Sequence, residues 1–149
     1  MLSRIFIQNF ALIDRLEIDL KTGLQVITGE TGAGKSIILG ALRLIMGERA
    51  DAKSFAKADS KSIVETEFSI DESFKSFFDN KDLDYEPQTI IRREISPGGK
   101  SRAFINDVPV TLDILKELSS RLIDIHSQFE TSDLFTESFQ FGILDGLAK

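Results

Sequence analysis

The run Gly29-Glu30-Thr31-Gly32-Ala33-Gly34-Lys35-Ser36 follows the pattern G-x-x-x-x-G-K-[ST] without a mismatch. Glycines there let the backbone curl so that successive N–H groups point inward at an anion, beside the positive end of the helix that follows. A polyphosphate such as that of ATP suits the site. The spacing carries Lys35 toward the β- and γ-phosphates and gives the Ser36 hydroxyl one position on a Mg²⁺ that keeps several waters. The competing reading is a glycine-rich turn that only packs a strand on a helix.

Such a loop works only if its flanks hold it. Leu24, Val26 and Ile27 read as a buried strand entering the loop, and Ile37, Ile38, Leu42, Leu44 and Ile45 recur at helical spacing after it, with Gly47 placed to end the helix. Upstream, Leu2 to Phe10 reads as a strand with at least one buried face. Leu16, Ile18 and Leu20 alternate with Glu17, Asp19 and Lys21 as a half-exposed strand, and Lys21-Thr22-Gly23 turns the chain toward the loop. The first quarter is therefore expected as β-β-β-loop-helix, with the ligand at the C-terminal end of a strand, as in open α/β sheets.

Further along, residues 48–61 read as a polar surface loop and Ser62 to Ile70 as a strand. Asp71 is a candidate N-cap for a short helix holding Phe74, Phe77 and Phe78. Thr89 to Ile95 and Arg102 to Ile105 flank Ser96-Pro97-Gly98-Gly99-Lys100, a hairpin signal. Alternation sends Arg92 and Arg93 to opposite faces, so at most one of them faces a given ligand. Either Arg92, Arg93, Lys100 and Arg102 are solvent-facing charge, or one arginine approaches a nucleotide phosphate or nucleic acid. Asn106-Asp107 leaves the next turn type open, because Asp tolerates positive φ less readily than Gly. Thr111 reads as the N-cap of an amphipathic helix through Leu122, Ile123 to Gln128 as a short buried strand with a polar tip, and Glu137 to Ala148 as a helix.

The chain has 149 residues, enough for one domain with a real core. Its net charge of -6 speaks against a generally basic nucleic-acid surface, while leaving room for a local basic patch. Phe is abundant, at 12 copies, and reads as core filler. Cys is absent, which excludes disulfides and thiolate metal sites and fits a reducing cytoplasm. His126 is the lone histidine and reads as structural. No run has the length of a signal-peptide core or a membrane span, so a cytoplasmic protein without membrane contact is expected.

Hydrolysis asks for more than the loop. An acid that helps hold Mg²⁺ usually ends a buried apolar strand, and the one lookalike, Phe141 to Asp145, reads instead as helix surface. Half of an expected active site is missing. Two rival readings stay open: a self-contained small-molecule kinase using Asp145 or Asp124, and a non-catalytic interaction domain whose glycine loop is only structural.

Taken jointly, several segments resemble the RecN family of bacterial DNA repair proteins, in the SMC-like branch of ABC-type ATPases. They are Ile5-Phe6-Ile7-Gln8-Asn9-Phe10-Ala11-Leu12-Ile13, the loop from Ile27 to Ser36, Gly47-Glu48-Arg49-Ala50, Ser101-Arg102-Ala103-Phe104-Ile105-Asn106, Ile125-His126-Ser127-Gln128-Phe129-Glu130 and Leu144-Asp145-Gly146. The resemblance covers essentially all of residues 1–149 and implies an α/β fold, the N-terminal half of a P-loop NTPase head of ABC type with an antiparallel β flank. In that family the head is assembled from both ends of one chain, and the C-terminal half-head brings the signature motif, the Mg²⁺-binding Asp and the catalytic Glu. The resemblance thus implies ATP and Mg²⁺ as cofactors and no catalytic residue within this chain. It also implies Gln128 as a second group on Mg²⁺ beside Ser36, and a homodimer of heads sandwiching two ATP molecules. DNA is the implied partner of the full-length protein in double-strand break repair, associated with the nucleoid when bound.

Overall fold

A computed structural model of the chain describes residues 1–28, 34–49 and 60–126. Its strands are β1 (Leu2–Phe10), β2 (Ile13–Asp19), β3 (Ser62–Ser69), β4 (Gln88–Ile95), β5 (Ser101–Ile105) and β6 (Val108–Val110). They form one sheet in the order β2-β1-β3-β4-β5-β6, and each pairing among them is antiparallel. The helices are α1 (Gly34–Ile45), α2 (Lys75–Asn80) and α3 (Leu112–Leu122).

Period-two alternation divides the sheet into a core face and a charged face. On the core face one row runs Ile18, Ile5, Thr66, Ile91, Ile105, and the next runs Leu16, Ile7, Val64, Arg93, Ala103, Val110. Each buried aliphatic side chain of this kind contributes roughly 1.5–3 kcal/mol when fully removed from water. The opposite face carries Arg4, which pairs with Glu65 at 2.7 Å and Glu17 at 2.9 Å, and Arg92, which pairs with Asp107 at 2.7 Å. Arg92 also stacks 4.7 Å above the Phe104 ring. Half-exposed pairs like these are individually weak. Their row-by-row register nevertheless disfavours a one-residue slip, which would drive them into the core.

α1 lies across β1, β3 and β4, burying Ala41, Leu44 and Ile45. Gly47, at φ +87°, ends it as the sequence predicts: its N–H donates to Leu44 O and the Glu48 N–H to Arg43 O, the paired bonds of a Schellman cap. Thr111 caps α3 as expected, accepting from the Ile114 N–H, while Asp71 accepts from the Ser73 N–H and caps a 3-10 turn, Glu72–Phe74, that leads directly into α2. In the short helix Phe77 and Phe78 are buried, and Phe78 meets Tyr85 edge to face. The hairpin tip closes with the Gly99 N–H on Ser96 O. Asn106 and Asp107 take φ of 47° and 63°, so this two-residue connection is the I′ type despite having no glycine. Asn106 is held there by its own side chain, which accepts from the Ile90 N–H and donates to Asp84 O.

Among the described residues, two expected strands do not form. Residues 24–28 belong to no strand, and Leu24, Val26 and Ile27 are 90%, 74% and 46% exposed. Their pattern is that of a buried strand, yet no described strand lies beside them to complete a ladder and cover their side chains. Ile123 is extended and closes α3 through its N–H on Ser119 O, but residues 123–126 pair with no strand. The helix expected from Glu137 to Ala148, and most of the 48–61 loop, lie outside the described residues.

Candidate functional site

Gly34, Lys35 and Ser36 form the first turn of α1, and all three are exposed. That turn contains no acidic residue, so its unbonded N–H groups face no competing carboxylate from the helix itself. An anion fits this end of the helix, with Lys35 and Ser36 on the first two positions after the glycine. Gly29, Glu30, Thr31, Gly32 and Ala33 lie outside the described residues, as does Gln128.

Beside the site lies a cavity of about 560 Å³, lined by Lys35 together with Leu2, Ile5, Leu20, Ile27 and Ile38. Its walls are the inner face of β1, one side of α1 and the unpaired segment leading to the loop. An open space of that size with such a lining holds apolar side chains more readily than water.

Among the described residues no group of three His, Asp or Glu side chains converges to hold a metal. Of the expected pair Ser36 and Gln128, Ser36 is the described member, and one hydroxyl suits a Mg²⁺ held mainly by phosphate oxygens and water. Asp124 ends no buried strand: it is exposed, 2.9 Å from His126 Nε2. That removes the environment in which it would serve a kinase as the metal-side acid. Asp145 lies outside the described residues.

The paired arginines separate as alternation requires, but neither is simply solvent-facing charge. Arg92 is bound within the ion pairs of the outer face. Arg93 is 1% exposed and donates to Leu44 O at 2.9 Å and Ser101 Oγ at 2.6 Å, at the C-terminal end of α1. This is the opposite end of the helix from Lys35. Burial lowers the Arg93 pKa. Lys100 and Arg102 remain exposed. Arg93 was findable in sequence, since it stands in phase with Ile91 and Ile95 on a strand whose alternate residues are core.

The AAA domain family matches residues 4–142. The chain is 38% identical over 99% of its length to the DNA repair protein RecN of Vibrio cholerae, and 40% identical over 97% to that of Synechocystis. It spans 27% and 26% of those two relatives. Its fold matches a structure from work on ATP-driven dimerization and DNA-stimulated activation of SMC ATPases, with a TM-score of 0.69 at 17% identity and 98% of both chains covered. It also matches the recombination mediator RecF solved with ATP, with a TM-score of 0.56 at 17% identity, over 74% of this chain and 27% of that one. A Lys-Ser pair opening a helix on an antiparallel sheet is thus set in an SMC-type head fold, and the chain belongs to the AAA domain family as the N-terminal part of a RecN-type protein.

Proposed function

We propose that this chain is the ATP-binding half of a RecN-type ATPase head acting in DNA double-strand break repair and recombination. What supports the reading above all is the incomplete surroundings of Lys35. A strand-like apolar segment, Leu24, Val26 and Ile27, is left exposed where the chain enters the phosphate loop. The cavity beside it is apolar and open, and Lys35 stands at its edge. The occupant we assign to that cavity is the C-terminal half-head of the same protein, because the relatives are almost four times as long as the part matched here. Gly29 to Ser36 would wrap the triphosphate, with Ser36 and Gln128 on Mg²⁺. The metal, when bound, neutralises phosphate charge and orients the γ-phosphate. Hydrolysis waits on carboxylates supplied by the other half, and two heads pair through two ATP molecules before acting on DNA.

The test is calorimetric titration of full-length protein with Mg²⁺-ATP. Binding weakened roughly 10- to 100-fold by Lys35→Ala, the loss of a charge-assisted contact, is expected. Binding indifferent to Lys35→Ala would leave the glycine loop as a structural turn.

A further inference from the structure

Arg93 stands out as a buried guanidinium that the nucleotide site does not use. It rises from β4 into the core face, in register with Val64 and Ala103. One nitrogen, Nη1, donates to Leu44 O at 2.9 Å and lies 3.4 Å from Glu48 O, while Nη2 donates to Ser101 Oγ at 2.6 Å. The side chain therefore joins β4, β5, the last turn of α1 and the residue after its glycine cap. Nε has no partner among the described residues, and burial pushes the guanidinium pKa down.

As a device for stability alone this is a poor choice. Among the described residues no carboxylate pairs with Arg93; a buried cation so placed is costly, and an apolar side chain of similar volume often serves as well or better. Leu44 O already accepts from the Gly47 N–H at 3.0 Å, so the helix end does not need Arg93 to satisfy that carbonyl. What a planar guanidinium adds is direction: two nitrogens fixed relative to each other hold three segments at set distances. Positive charge also suits the carbonyl end of a helix.

We propose that Arg93 is a positioning residue for ATP binding, fixing the phosphate-binding helix against the β4–β5 hairpin so that Lys35 and Ser36 stand at the correct height for the phosphates. The helix is a rigid rod of 12 residues. A shift of its C-terminal end therefore arrives at Lys35, roughly 14 Å along the axis, largely undiminished. This rests on the reading of Gly29 to Ser36 as the nucleotide loop.

The test compares Arg93→Met, Arg93→Lys, Ser101→Ala and Lys35→Ala in the full-length protein, following thermal melting together with KM for ATP and kcat. Arg93→Met leaves no charge stranded and is expected to fold. It should raise KM about tenfold with kcat at saturation changed less than about twofold, the pattern of a loss of uniform binding. Arg93→Lys should recover part of that loss and Ser101→Ala should reproduce part of it. Should Arg93→Met fail to fold, Arg93→Lys and Ser101→Ala carry the same comparison. KM unchanged in every folded variant, with only the melting temperature lowered, would overturn the proposal and make Arg93 a structural brace. If Lys35→Ala leaves ATP binding intact, the nucleotide reading fails first, whatever the Arg93 variants do.

Discussion

At the scale of single residues, backbone conformation and charge placement decide most of what is testable. Gly47 adopts a positive φ, and a Cβ there would fall 2.4 Å from Lys116 Cγ and 3.4 Å from Leu112 O. Gly47→Ala should therefore destabilise the protein by about 1–3 kcal/mol, measured by urea unfolding, since neither the dihedral nor the contact can relax freely. The Asp71 carboxylate is held below the usual range by the Ser73 hydroxyl and then by the Ser73 backbone N–H. A depressed folded pKa stabilises above the unfolded pKa, and that contribution is lost as pH falls through the folded value. Asp71→Asn keeps a capping oxygen but not the titration. Its melting temperature should fall less steeply than wild type below about pH 4, as pH drops from the ordinary aspartate value through the depressed one. The helix opening at Lys35 and Ser36 was legible from sequence, because its pattern is local. The I′ turn at Asn106 and Asp107 was not legible, because what holds it is a contact with Ile90 and Asp84, distant in sequence.

Among the elements, α1 is the one best specified by its own residues. Its periodicity and its glycine cap point the same way, and the structure agrees on both. One residue is suboptimal: Gly40 sits in the helix interior, where an added methyl would meet only the Phe10 ring at 3.8 Å, an ordinary contact. Gly40→Ala should stabilise the protein by about 0.5–1 kcal/mol, read as a higher urea midpoint with unchanged slope. Strands behave differently. β1, β3 and β4 were legible because alternation matches a half-buried sheet and the neighbours are present. The segment 24–27 carries an equally clear apolar pattern and still forms no strand, since a strand is completed by its partners and not by its own composition. Arg93 belongs to the same lesson, its phase being readable in sequence while its carbonyl partners, far back in the chain, are not.

For the whole molecule, the central fact is an antiparallel sheet with α1, the helix that opens on Lys35 and Ser36, on one face and an uncovered apolar flank beside Lys35. If the C-terminal half-head covers that flank, the amides of Leu24, Val26 and Ile27 should exchange with solvent within seconds in this chain alone. In full-length protein they should slow by at least about a hundredfold, as for hydrogen bonds that open only at a cost of a few kcal/mol. The division of labour is tested most directly by steady-state ATP turnover, first with this chain alone and then with the remainder of the protein added in trans. The account predicts no turnover from either part and turnover on mixing, abolished by Lys35→Ala. Sustained ATP hydrolysis by this chain by itself, lost on Lys35→Ala, would contradict it.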